Sequence, residues 1–119
     1  MPRRPSLPPP DESAGVVLNR VQIEGRLCEK KPLRYTPVGL PVAEARLDHR
    51  SEQSEAGLPR QVTCEIPLIA LGPQANCLAA APLGAALRLA GFLAARSRNS
   101  KTLVLHVQAI EFLEGNQNG

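Results

Sequence analysis

Apolar side chains recur at every second position along much of this chain. Val17, Val21, Ile23 and Leu27 fall on one face of an extended segment, and Arg20, Gln22, Glu24 and Arg26 fall on the other. Such period-two alternation predicts a half-buried strand. The stretch from Tyr35 to Pro41, YTPVGLP, supplies turn residues. Ala43, Ala45 and Leu47 then alternate with Glu44, Arg46 and Asp48, which predicts a second strand. Beyond a polar stretch, Val62, Cys64, Ile66 and Leu68 alternate with Gln61, Thr63 and Glu65 as a third. Pro67 is expected to confine that strand to an edge or an end, because proline cannot donate to a ladder.

The alanine-rich run from Ala75 to Ala95 is a harder reading. Alanine favours helix, but Pro82, Gly84 and Gly91 break a single long one. A short irregular or helical connection over Gln74 to Ala81 and a fourth strand from Ala85 to Ala95 fit both facts. In the last strand, Val104, His106, Gln108, Ile110 and Phe112 alternate with Leu103, Leu105, Val107, Ala109 and Leu113. Both of its faces are partly apolar, so it should be covered on two sides or pack on a second subunit. Five strands with no alternating helices, and Gly25 and Gly91 at positions suited to sharp bends, predict an all-β fold. The expected architecture is a five-stranded OB-fold barrel with the short element between strands 3 and 4.

Before the first strand, Pro2, Pro5, Pro8, Pro9 and Pro10 dominate. Residues 1–16 are therefore expected to form a disordered Pro-rich tail, residues 17–115 the barrel domain, and residues 116–119 a flexible end. The tail has no apolar stretch after its arginines and does not read as a secretory signal. No apolar run is long enough to span a membrane. Cys28, Cys64 and Cys77 include no C-x-x-C pair. They are expected to be reduced thiols acting as small core residues, which favours a cytoplasmic location.

Aromatics make up only 3% of the chain, so the core must be aliphatic. Tyr35, beside Arg34, is expected to be the exposed aromatic, because Phe92 and Phe112 lie in apolar strands. The formal charge is +3, which permits a polyanionic partner without requiring one. Its distribution says more. Arg26, Lys30, Lys31 and Arg34 outweigh Glu29, and Arg96, Arg98 and Lys101 stand together without an acid. The polar stretch LDHRSEQSEAGLPRQ, from Leu47 to Gln61, has Arg50 and Arg60 as basic shoulders around an acidic tip. The second basic cluster could equally be a solvated turn. Asp48, His49 and Ser51 imitate a catalytic triad by type, but neighbours in a strand point to opposite faces. His106 reads as a structural or interface histidine. No Gly-rich phosphate loop, metal motif or other cofactor motif appears.

Three segments in order, PLRYTPVGLP, LDHRSEQSEAG and LVLHVQAIEFL, resemble the family of primosomal replication protein N, also called PriB. The similarity runs from Asn19 to Gly72 and from Leu83 to Leu113. It implies a homodimer of OB-folds that binds single-stranded DNA and lacks catalytic activity. It also implies a role in replication restart with the PriA helicase, and DnaT as a further partner. The family's DNA face uses the second and third strands and the loop between the fourth and fifth. On that basis Arg34, Tyr35, Arg50, Arg60, Arg96, Arg98 and Lys101 are the expected DNA-binding residues. Two stacking positions of better-known members are Leu58 and Thr63 here, and Tyr35 replaces a basic residue. A weaker, more electrostatic binder is expected, or a protein-interaction module that recruits the helicase.

Overall fold

The structure, a computed structural model, describes residues 17–113. The expected tail over residues 1–16 and the flexible end over 116–119 lie outside them. Six strands and one helix follow in the order β1 (Val21–Lys30), β2 (Arg34–Tyr35), β3 (Pro41–Glu55), β4 (Leu58–Leu71), α1 (Pro73–Ala80), β5 (Ala86–Ala95) and β6 (Leu103–Phe112). The order across the sheet is β1-β5-β6-β4-β3-β2, and an added β1–β3 ladder closes it into a barrel. The five long strands are the five predicted. β2 is a two-residue addition to the edge of β3, paired through Arg34–Val42 and Tyr35–Pro41.

Strand alternation, with Leu78 added from α1, places leucines inside. Leu27, Leu47, Leu68, Leu78, Leu87, Leu89 and Leu105 are fully buried. Among the described residues no polar or charged side chain is buried, so the interior carries no desolvated charge. Ala75 and Leu78 of α1 are buried and belong to the same core cluster as the strand leucines. Lys30 fastens α1 from the side, its Nζ donating to the carbonyls of Ala79 at 2.9 Å and Ala81 at 2.7 Å. A cation there satisfies acceptors that the helix leaves open. Lys30 is thus a structural cap and is withdrawn from the basic cluster to which its sequence position assigns it.

Gly25 and Gly91 lie where the sequence places bends. A Cβ on Gly25 would meet the Asp48 carbonyl, and one on Gly91 the His106 carbonyl. The β5–β6 register shifts between Ala90 and Gly91, as at a bulge. On the outer face Arg88 bridges its two cross-strand neighbours, Glu24 of β1 at 2.7 Å and Glu111 of β6 at 2.9 Å.

Several expectations need correction. The first strand begins at Val21, not Val17, and Val17 is exposed. Upstream of Val21 the Asn19 amide takes over the pairing, giving an N–H to the Leu93 carbonyl and accepting the Leu93 N–H. Pro67 lies inside β4, at a local edge and not at an end, paired with β3 alone. The ladder from β4 to β6 covers only Leu68 and Ile69, so proline's missing donor falls just outside it. All three cysteines are exposed. Cys64 faces His49 across the hairpin, and Cys28 lies at an irregularity in the β1–β3 register. Phe112 is exposed as well, because β6 is buried on both faces only at Val104 and Leu105.

Candidate nucleic-acid interface

On β3 the core takes Ala43, Ala45 and Leu47. Period two therefore turns Glu44, Arg46, Asp48 and Arg50 outward. At the Glu44 end, two loops rise beside this outer face. One runs from β1 to β3 and carries Lys31, Arg34 and Tyr35. The other is the turn between β5 and β6, closed by the Arg96 N–H on the Thr102 carbonyl at 2.9 Å. Between the loops lies an open groove of about 400 Å³, whose floor includes Arg46, Pro67, Ile69 and His106.

Glu44 sits in this groove among three cations. Its carboxylate accepts from Arg34 at 2.7 Å and lies 3.7 Å from Lys31 and 3.8 Å from Arg96. The Arg34 hydrogen bond is the main cause that holds the Glu44 carboxyl below its ordinary value. Lys31 and Arg96 add to that, and partial burial opposes it. Arg46 stands between Glu29 at 3.7 Å and Glu65 at 3.8 Å. The groove thus gathers Lys31, Arg34, Arg46 and Arg96 against Glu29 and Glu44, an excess of positive charge in a concave site. Concavity focuses such a field on an incoming anion.

Of the expected site residues, Arg34 and Arg96 meet here through Glu44, although 62 residues separate them in sequence. Tyr35 follows Arg34 at the edge of the sheet and is 62% exposed. Arg98 and Lys101 are exposed on the β5–β6 turn, and among the described residues neither makes an ion pair. Arg50 and Arg60 are not brought together with the others. Arg50 lies four residues beyond Arg46, roughly 13 Å along the strand, and is tied to Asp48 at 3.2 Å. Arg60 is opposite Gln53 in an unbroken register, which places it on the other face of the hairpin from Arg50. There it pairs with Glu55 at 3.3 Å. The two shoulders are therefore split between faces, which only the register could reveal.

The triad-like residues form a clip. His49 donates from Nδ1 to the Glu24 carbonyl at 2.7 Å and accepts the Ser51 hydroxyl at Nε2, 2.8 Å away. Gln53 in turn donates to Ser51 at 2.9 Å. Asp48 is on the opposite face with Arg50, so no relay exists. Among the described residues no cluster of His, Cys, Asp or Glu could hold a metal. Lys31, Arg46 and Glu44 were missed as site residues. All three lie in polar positions of the right segments, but only pairing across the barrel shows that they face one groove.

Residues 19–109 match the family described as another single-strand binding protein family. Over 102 residues, 86% of this chain and 94% of the relative, the chain is 37% identical to the replication restart protein PriB of Nitrosomonas europaea. The chain belongs to the PriB family. A solved PriB structure from Ralstonia solanacearum superposes with a TM-score of 0.75 at 34% identity, covering 82% of this chain and all of that one. The single-stranded DNA binding protein of Thermus aquaticus is also similar, with a TM-score of 0.67 at 25% identity. That match covers 83% of this chain and 52% of the other. In this family member Thr63 is exposed on β4 opposite Arg50, and Leu58 is exposed at the hairpin tip. Neither supplies a ring.

Proposed function

We propose that this protein binds single-stranded DNA as an accessory factor of the replication restart primosome, acting with the PriA helicase and DnaT. The observation that carries the reading is the groove in which Lys31, Arg34, Arg46 and Arg96 converge. Cations fixed on a concave surface suit a flexible phosphate backbone, and arginine can also lie flat against a base. Tyr35, Arg98 and Lys101 are exposed on the same two loops, and Arg50 can extend the path along the outer face of β3. Arg60 takes no part. The protein works by binding and not by chemistry. It acts in the cytoplasm as a homodimer.

Fluorescence anisotropy with a labelled oligothymidine tests this. Affinity is expected to fall steeply with salt, because each phosphate contact releases counterions. No binding at low salt would remove the DNA role. A second reading is favoured by the β3–β4 hairpin, whose acidic tip and ringless Leu58 and Thr63 suit a basic protein surface better than a strand. In that reading the domain chiefly recruits the helicase. Helicase stimulation that survives Arg34→Ala with Arg96→Ala, while DNA binding is lost, would decide for it.

A further inference from the structure

Four side chains form a row across the outer face of the barrel. Glu44 of β3 is opposite Ile69 of β4, Ile69 is opposite His106 of β6, and His106 is opposite Phe92 of β5. The last two rings are stacked, with centroids 4.9 Å apart and planes 9° from parallel. His106 lines the groove, whereas Phe92 does not. Phe92 therefore covers one ring face of His106, whose side chain lies between Phe92 and Ile69 in the groove lining. The imidazole is half-buried, and the phenyl ring behind it fixes its orientation. Arg96, Arg34 and Lys31, the groove's phosphate-binding candidates, meet at Glu44, the far end of the same row.

We propose that His106, backed by Phe92, is a base-stacking platform in the floor of the groove. The inference rests on the groove being the single-stranded DNA site and adds to it the residue that holds a base. The imidazole is flat and held in place, so a base entering between the two loops would extend an existing two-ring stack. Stacking of this kind accepts any base, since every base has a π-face. It places a stacking residue on β6, where the hairpin positions Leu58 and Thr63 offer none. The phosphates on either side of that base would lie toward Arg96 and Arg34.

Two labelled strands of equal length separate stacking from charge. One is oligothymidine and the other carries abasic tetrahydrofuran units, which have phosphates without bases. For His106→Ala the affinity for oligothymidine is expected to fall about fivefold or more, with the abasic strand bound as by wild type. Arg96→Ala is expected to weaken both strands. An equal loss on both strands for His106→Ala, or no loss on either, would overturn the proposal. Should the alanine variant melt early, His106→Phe and His106→Leu replace it. Phe is expected to keep the preference for strands with bases and Leu to lose it, and equal behaviour of the two would overturn the proposal. Wild-type protein that binds neither strand would instead remove the DNA site itself.

Discussion

The two ends of the β3–β4 hairpin are built from the same two strands in one continuous register, yet they are different kinds of structure. At the base, β3 is paired with β4 on one side and on the other with β2 at Val42 and with β1 from Ala45 to Asp48, and one face is sealed by Ala43, Ala45 and Leu47. Beyond Asp48 the β1 ladder ends, and β6 pairs with β4 only at Leu68 and Ile69. The arm from Arg50 to Thr63 therefore has no third strand and no core, and almost all of it is exposed. Charges at the base are drawn together by the two loops around Glu44. Charges on the arm neutralise each other locally, Arg50 with Asp48 and Arg60 with Glu55. Similar numbers of charged residues thus yield a focused field in one place and a solvated surface in the other. What differs is whether other elements converge on them.

The largest expected contrast is in stability. Leu47→Ala empties a fully buried site and should cost about 2–5 kcal/mol, whereas Val62→Ala on the arm should cost less than about 1 kcal/mol. Denaturant titration of both reads this, and equal costs would mean that the arm is part of the folding core. Next comes binding. Arg34→Ala with Arg96→Ala should weaken oligothymidine binding about tenfold or more at low salt and flatten the salt slope by about 1.4. Arg60→Ala should leave both unchanged, and an equal loss would show that the arm's other face carries DNA.

A smaller effect of opposite sign is expected at Glu44, whose carboxylate occupies the centre of the cations. Glu44→Gln should tighten oligothymidine binding a few-fold in the same assay, while Glu55→Gln on the arm should not. The variant also has a pH signature. The folded carboxyl titrates below its ordinary value of 4.5. Its contribution is therefore fully present above that value and is lost as pH falls through the lower folded value. The stability gap between wild type and Glu44→Gln should be open at neutral pH and close in strong acid. The smallest effect belongs to the hairpin turn, where Ala56 has φ 54° and Gly57 φ 79°. Both central residues are left-handed, as in a type I′ turn that favours Asn-Gly. Ala56→Asn should therefore raise stability by roughly 0.5 kcal/mol in thermal melts. A larger gain would mean that the arm is coupled to the barrel.

The barrel was legible because its core imposes period two on each of five strands, and glycine marks the bends at Gly25 and Gly91. β2 was not, since two residues carry no period. The cysteines were misplaced by a preference for burial: Cys64 has the inward phase of Ile66 and Leu68 but lies at the root of the arm, beyond the core. For the candidate site, clustered charge pointed to the two loops, and of the expected residues Arg34 and Arg96 are the ones brought together, at Glu44. What sequence could not give was register. It separates Arg50 from Arg60, diverts Lys30 to the end of α1, and sets His106, in the floor of the groove, beside Phe92. These are contacts between strands distant in the chain, and no local pattern encodes them.

The parallel seam between β4 and β6 is only two residue pairs long, and it runs directly beneath the groove. A barrel opens most easily where its ladder is shortest, so the amides of Ile69 and His106 should exchange with solvent deuterium earlier than those of the long β1–β5 ladder. A strand lying across the groove would bridge that seam from outside. Ligand binding should then slow exchange there more than anywhere else in the sheet, with the protein's own hinge line reporting its occupancy.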